Sequence, residues 1–177
     1  DNQIIYEVKD KDALNPKLTR EQYETWVKSN SYCYELIVPA SKSDEAFRHM
    51  QQDLKRYFPQ YDVRVENRKT KYLALVRTSS RDKIKTAGGR KSMNISGVGA
   101  SVQNVPLSEF FFQLQVIQMQ KSPIPVVNET GYTGAVDMEL PTSLSDYQLL
   151  NKELKKYDLQ FVEKEKELEM IVFRDAI

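Results

Sequence analysis

The chain has 177 residues, of which 40% are hydrophobic and 29% charged, a composition typical of a folded globular protein rather than a disordered one. With 26 Lys and Arg against 25 Asp and Glu, the formal net charge is +1, which gives no general support for binding nucleic acid or anionic membranes. One cysteine and one histidine exclude an intramolecular disulfide, a Cys-x-x-Cys redox motif and a histidine-rich metal site. No apolar run is long enough to predict a membrane span.

The N-terminal part predicts an extension in front of the main domain. The first residue is Asp rather than Met and no signal peptide follows it, so we expect a mature fragment or processed form of a longer protein. Residues 1–30 are predicted to form the extension and residues 31–177 a single compact domain. Within the extension, Thr19 and Gln22 match a capping box, and the apolar residues that follow at helical spacing predict a short helix.

Residues 31–78 predict a strand, a helix and two further strands. Tyr32–Val38 is rich in aromatic and β-branched residues, and Pro39 ends the run. The apolar residues that share one face of the predicted helix are Ala46, Phe47, Met50, Leu54 and Tyr57. Alternation from Tyr61 predicts one strand, a polar turn at 67–69 ends it, and Tyr72–Arg77 predicts the next.

Residues 132–175 predict the same βαββ order. A strand over Val136–Leu140 precedes a helix, and two strands flank a charged turn at 163–166. The two helices share the pattern Leu-Lys-basic-Tyr, at 54–57 and at 154–157. We therefore expect two ferredoxin-like βαββ repeats that arose by duplication. The alternative is that any two amphipathic helices with basic ends resemble each other.

The stretch between the predicted repeats has a different character. Residues 79–91 are polar, basic and without periodicity, which predicts an exposed, mobile loop. This loop could attract an acidic partner or anionic lipid head groups, although a plain solvated loop is favoured. Residues 92–128 predict a βαβ unit whose helix starts near Pro106. The whole chain thus predicts an α+β fold of mostly antiparallel sheet with three strand–helix–strand units.

The most distinctive segment is Pro125–Asp137, with the sequence Pro-Val-Val-Asn-Glu-Thr-Gly-Tyr-Thr-Gly-Ala-Val-Asp. Its two glycines lie between strand-like runs, which predicts a tight turn with positive φ that sets the sheet register. A turn with exposed backbone amides can also bind a ligand. The candidate binding residues are Asn128, Glu129, Thr130, Gly131, Tyr132 and Gly134. Among them, Glu129 and Tyr132 are expected to point outward.

Together with Pro106–Phe110 and the closing unit at 154–174, this segment resembles a bacterial family of unknown function sometimes called the soil-associated protein domain. The family pattern has an apolar helix, then Pro-Val-Val-Asp-x-Thr-Gly-Leu-x-Gly-x-Tyr-Asp, then a helix and two strands. Asn128, Tyr132 and Val136 replace the Asp, Leu and Tyr of that pattern. The resemblance covers about residues 31–175. It implies a periplasmic or cell-envelope location, often behind a thioredoxin-like (redoxin) thiol–disulfide oxidoreductase domain, and it supplies no catalytic residues.

The residues themselves predict no catalytic site, metal site or cofactor. Cys33 lies between two tyrosines in the predicted first strand, so we expect a buried, slowly reacting thiol. The leading hypothesis is a non-catalytic cell-envelope module that binds a partner protein or positions an attached thioredoxin-like domain. The alternatives are a glycan- or peptide-binding domain, or an enzyme with an unrecognised site of carboxylates and tyrosines.

Overall fold

The computed structural model describes residues 2–176, and positions 1 and 177, the outer limits of the predicted extension and domain, lie outside the described residues. Numbered along the chain, the elements are β1 (Ile4–Glu7), α1 (Arg20–Asn30), α2 (Ala46–Tyr57), β2 (Tyr61–Arg77), β3 (Ser92–Ser96), β4 (Gly99–Pro106), α3 (Leu107–Gln113), β5 (Val126–Asn128), β6 (Ala135–Leu140), α4 (Tyr147–Leu154) and β7 (Leu159–Asp175). A 3₁₀ turn precedes α2, another follows α4, and a π-helical turn extends α3. The predicted α+β class is confirmed.

The chain divides into two compact units, and the division falls within the two 17-residue strands β2 and β7. Among the described residues, unit 1 comprises 2–3 and Asn67–Glu169, and unit 2 comprises Ile4–Glu66 and 170–176. Strands β1, β7, β2 and β5 form one sheet in that order, with β1 parallel to β7 and β2 parallel to β5. Strands β3, β4 and β6 form a second, antiparallel sheet.

Unit 1 contains the hydrophobic core. Apolar side chains from both sheets and from α3 and α4 meet there, and Phe110, Leu150 and Phe161 are almost fully buried. Helix α4 begins after Asp146, whose Oδ1 accepts hydrogen bonds from the backbone N–H groups of Gln148 (2.9 Å) and Leu149 (3.2 Å). Such a cap satisfies amide groups that the first helical turn leaves without a partner, so it fixes where the helix starts.

Unit 2 buries far less of its apolar surface. Among its described residues, the fully buried ones are Val8, Met170 and Val172. The predicted capping box of α1 is confirmed, because the backbone N–H of Gln22 donates to Thr19 Oγ1 (3.4 Å) and that of Thr19 donates to Gln22 Oε1 (3.0 Å). Nevertheless, neither α1 nor α2 has a fully buried residue.

Over residues 2–176, no helix combines the length and apolar character needed to cross a bilayer.

The prediction of two βαββ repeats is wrong. Tyr32–Val38 forms no helix or strand, so nothing corresponds to β6 in front of α2. After each helix, a single long strand continues through the charged stretch where the sequence predicts a turn. Charged residues are compatible with a strand there because their side chains are solvated and paired, as where Lys69 Nζ lies 3.2 Å from Glu165 Oε2. The shared pattern is therefore limited to a helix followed by a long strand.

The predicted βαβ unit over residues 92–128 has one strand more than expected. Strand β3 turns at Gly97 and Val98 into β4, with Ser96 opposite Gly99. Strand β4 was not predicted because its alternation of buried and exposed residues is interrupted by a bulge between Val102 and Val105. Helix α3 and strand β5 follow in the predicted order.

Residues 79–91 form a loop without helix or strand, as predicted, and most of them are exposed, but the loop is anchored within unit 1. Ile84 is buried in the core, and the backbone N–H of Asp137 donates to its carbonyl (3.0 Å). The carboxylate of Asp137 accepts hydrogen bonds from the backbone N–H groups of Ala87 (2.8 Å) and Asn104 (2.7 Å), which lower the pKa of Asp137. A single apolar residue within a basic run gives no periodicity, although it is enough to anchor the segment.

Candidate functional site

Asn128 ends β5, and the other candidate binding residues lie in the connection from β5 to β6, within unit 1. The two strands belong to different sheets, so the prediction that this turn sets the register of a sheet is wrong. Asn128 Oδ1 accepts hydrogen bonds from the backbone N–H (3.0 Å) and the hydroxyl (2.7 Å) of Thr130. Thr130 Oγ1 in turn accepts a hydrogen bond from the backbone N–H of Tyr132 (3.1 Å). These side chains replace backbone partners in a turn, which is the usual role of Asn and Thr at such positions.

The two glycines of the segment serve different purposes. Gly131 has φ of +64°, as the sequence predicts, and a Cβ atom there would meet open space. Gly134 is not in the left-handed region; a Cβ there would lie 3.0 Å from Cε1 of the Tyr132 ring. The backbone conformation therefore favours glycine at position 131, whereas a side chain at position 134 would require the Tyr132 ring to shift.

Glu129 is the centre of a polar cluster. Its Oε1 accepts hydrogen bonds from the Tyr72 hydroxyl (2.8 Å) and Lys166 Nζ (2.6 Å), and its Oε2 accepts one from Lys164 Nζ (2.9 Å). The Lys166 ammonium also lies over the Tyr72 ring, 4.6 Å from its centroid. The bonds from Lys166, Lys164 and Tyr72 lower the pKa of Glu129 to about 2. The carboxylate is therefore ionised at neutral pH and already engaged by three donors.

Tyr132 packs against the core of unit 1 rather than pointing into solvent. The Arg77 guanidinium lies 5.6 Å from the centroid of its ring, within the range of a cation–π contact. Burial raises the pKa of the Tyr132 hydroxyl, with a further contribution from Asp82. The expectation that Glu129 and Tyr132 point outward is thus wrong, since both side chains hold the segment against neighbouring strands. A role in ligand binding for Asn128–Gly134 stays a prediction.

A cleft lies in unit 2, where the sequence predicts no site. This cleft has a volume of about 1060 Å³ and is bordered by α1, α2 and the unit 2 parts of β2 and β7. From α2 and the residue after it, Met50, Leu54 and Phe58 line the cleft at helical spacing. Trp26 of α1 and Phe173 of β7 are also among the lining residues. Helical periodicity predicts the apolar face of α2 but does not reveal whether a core covers it.

The charged groups of the cleft are mainly cationic. Arg48, Lys55 and Arg64 line it, against the single carboxylate of Asp62. Arg64 Nε lies 2.8 Å from Asp62 Oδ2, and Arg48 is paired with Glu45. Among the described residues, Lys55 forms no ion pair and no side-chain hydrogen bond. The cleft therefore has one cationic side chain that is not neutralised by a neighbouring carboxylate.

The thiol of Cys33 is exposed, which corrects the expectation of a buried cysteine. The reason is that Tyr32–Val38 joins no sheet, so its side chains are not enclosed between layers. In the described part of the chain, no group of three or more His, Cys, Asp or Glu side chains is arranged to hold a metal ion.

Comparisons with protein-family models, curated proteins and solved structures give no match to this chain.

Proposed function

We propose that the chain is a non-catalytic binding module whose ligand-accepting surface is the cleft of unit 2. The observation that carries this proposal is the uncovered apolar face of α2. Leu54 is 39% exposed in the wall of the cleft, and Phe47 on the same helix is 80% exposed. Concave, mostly apolar clefts that also contain a few polar groups are the usual form of ligand sites.

The contrast with unit 1 supports this location. In unit 1, α3 and α4 each bury an apolar face in the core, as helices do in most folded domains. In unit 2, aromatic and aliphatic side chains surround a space large enough for a ligand. Contact between these side chains and water is unfavourable in free energy, and a bound ligand would reduce that contact.

The polar cluster around Glu129 supports a structural rather than a catalytic role. A general acid or base is most effective when its pKa is near the working pH, whereas the pKa of Glu129 is about 2. Its three donors come from β2 and β7, so the carboxylate joins the turn to both strands within unit 1. The sequence alternative of an enzyme with a carboxylate and tyrosine site gains no support from this geometry.

The cellular setting is proposed from the family resemblance alone. We propose that the module acts in the periplasm or cell envelope, attached to a thioredoxin-like oxidoreductase domain or bound to another envelope protein. Reading the gene on both sides of the present sequence tests this. An encoded thioredoxin-like domain in the same open reading frame would support the proposal, and its absence together with a cytosolic location would contradict it.

The binding function is tested with a neutral apolar fluorophore, N-phenyl-1-naphthylamine, titrated into the native chain. We expect saturable fluorescence enhancement that Leu54→Glu reduces at least fivefold, because a carboxylate would then lie in the apolar wall. The matched control is Leu149→Glu, which changes a leucine of similar exposure (41% against 39%) in unit 1. Absence of saturable binding, or equal loss in both variants, would contradict the proposal.

A further inference from the structure

We infer that the cleft of unit 2 binds a long-chain carboxylate, with its hydrocarbon chain against the apolar face of α2 and its head group at Lys55. This inference rests on the proposed binding function and names the chemical class of the ligand. Its basis is the placement of two adjacent stripes on one helix, one apolar and one polar, both of which border the same cleft.

The apolar stripe provides a continuous surface for a hydrocarbon chain. Met50, Leu54 and Phe58 follow one another at intervals of four residues, so they form a row along the helix of about 6 Å per step. Trp26 and Phe173 line the same space from other elements. A flexible chain can follow such a row and bury its methylene groups, each of which contributes favourably when removed from water.

The polar stripe provides the head-group site. Arg48, Gln51, Gln52 and Lys55 are spaced as i, i+3, i+4 and i+7, so they lie along one side of α2 next to the apolar row. Arg48 is already paired with Glu45, whereas Lys55 has no such partner among the described residues. An unpaired ammonium beside an apolar surface is complementary to a carboxylate attached to a hydrocarbon chain.

The side chains of the cleft wall match a long-chain carboxylate. The inference requires only groups that the cleft wall presents as side chains: apolar surface, amides and a cation. The charge balance of the wall, three cations to one anion, also disfavours a cationic ligand.

The test uses three probes with the same twelve-carbon chain: dodecanoate and dodecyltrimethylammonium, each below its micellar concentration, and dodecanol below its solubility limit. Trp26 is the only tryptophan of the chain and lines the cleft, so its fluorescence reports binding at this place. We expect dodecanoate to bind at least threefold more tightly than the other two probes, because surface charge pairs have modest strength. Lys55→Glu should remove that preference and favour the cationic probe.

The matched control is Lys155→Glu, which reverses an exposed charge at the corresponding position after α4 and should leave all three affinities unchanged. Equal binding of the three probes, or a preference that survives Lys55→Glu, would overturn the carboxylate inference while the binding function stands. Failure of all three probes and of the neutral fluorophore would overturn both. Binding to phosphatidylglycerol vesicles in preference to free dodecanoate would also overturn the inference, since it would indicate a membrane surface as the ligand.

Discussion

Helix α2 ends in Leu-Lys-Arg-Tyr, and the last residue of α4 with the turn after it reads Leu-Lys-Lys-Tyr, yet the two leucines have different surroundings. Leu154 is 2% exposed in the core of unit 1, whereas Leu54 is 39% exposed in the cleft of unit 2. The difference arises outside the helices. In front of α4 the chain forms strand β6, which pairs in a sheet, whereas the segment in front of α2 forms no strand. The same amphipathic pattern thus completes a core in one unit and lines an open cleft in the other.

The largest expected effect comes from shortening these two leucines. Leu154→Ala should lower the free energy of unfolding by about 2–5 kcal/mol, because it leaves a cavity in a packed core. Leu54→Ala should lower it by less than about 1 kcal/mol, since the side chain is already partly in water. Urea unfolding of both variants measures the difference. A cost for Leu54→Ala equal to that for Leu154→Ala would show that α2 is covered by a core.

A second expected effect concerns the Glu129 cluster of unit 1. Glu129→Gln should cost about 1–2 kcal/mol at pH 7, because it removes the charge that two lysines and a tyrosine contact, although the lysines are partly exposed to solvent. Glu167→Gln, which changes an exposed carboxylate of the same strand β7 as those lysines, should change stability by less than about 0.5 kcal/mol. Comparable losses in the two variants would contradict the role of Glu129.

The pH dependence of the same variant follows from the sign of the pKa shift. The pKa of Glu129 is about 2 in the folded chain, below its ordinary value of 4.5, so its stabilisation is complete above about pH 4.5. As the pH falls from about 4.5 toward 2, the difference in stability between the parent and Glu129→Gln should shrink. Denaturant melts at pH 7, 4 and 2.5 measure this. A stability difference that stays constant over this pH range would mean that the Glu129 carboxylate is not the source of the stabilisation.

A smaller effect is expected at the turn between β5 and β6. Gly131→Ala should cost about 1 kcal/mol, since the backbone has positive φ although the space around it is open. Gly97→Ala is a suitable control, because a Cβ there also meets open space but no positive φ is involved. If both substitutions had the same effect on thermal unfolding, the backbone conformation would not explain the need for Gly131.

The smallest effect on stability is expected for Cys33 in unit 2. Cys33→Ser should change the free energy of unfolding by less than about 0.5 kcal/mol, because the side chain is exposed. For the same reason, the native thiol should react with a thiol reagent at nearly the rate of the unfolded chain. Slow labelling would indicate that Tyr32–Val38 is covered in solution.

Much of the helical structure could be predicted from the sequence because local signals determine it. The capping box at Thr19 and the apolar face of α2 both act within a few residues of the chain. Strand β6 and the positive φ of Gly131 are also local features. For these elements, residue spacing and backbone preference are sufficient.

The predictions that failed depend on partners far away in the chain. Tyr32–Val38 has strand propensity, but a strand forms only where another strand offers hydrogen bonds. Residues 163–166 are charged like a turn, yet they continue β7, where Lys164 bonds to Glu129. The docking of Ile84 likewise depends on bonds to β6. The cleft could not be predicted. The sequence pattern shows that α2 has an apolar face, but it does not show whether another element covers that face.

The central claim is that the apolar face of α2 is open and takes a ligand, while the matching part of α4 serves the core. Hydrogen–deuterium exchange of the full chain, with and without saturating dodecanoate, tests it most directly. We predict slower exchange over Ala46–Tyr57 when dodecanoate is bound and no change over Tyr147–Leu154. Unchanged exchange in α2, or equal slowing in both helices, would contradict the claim.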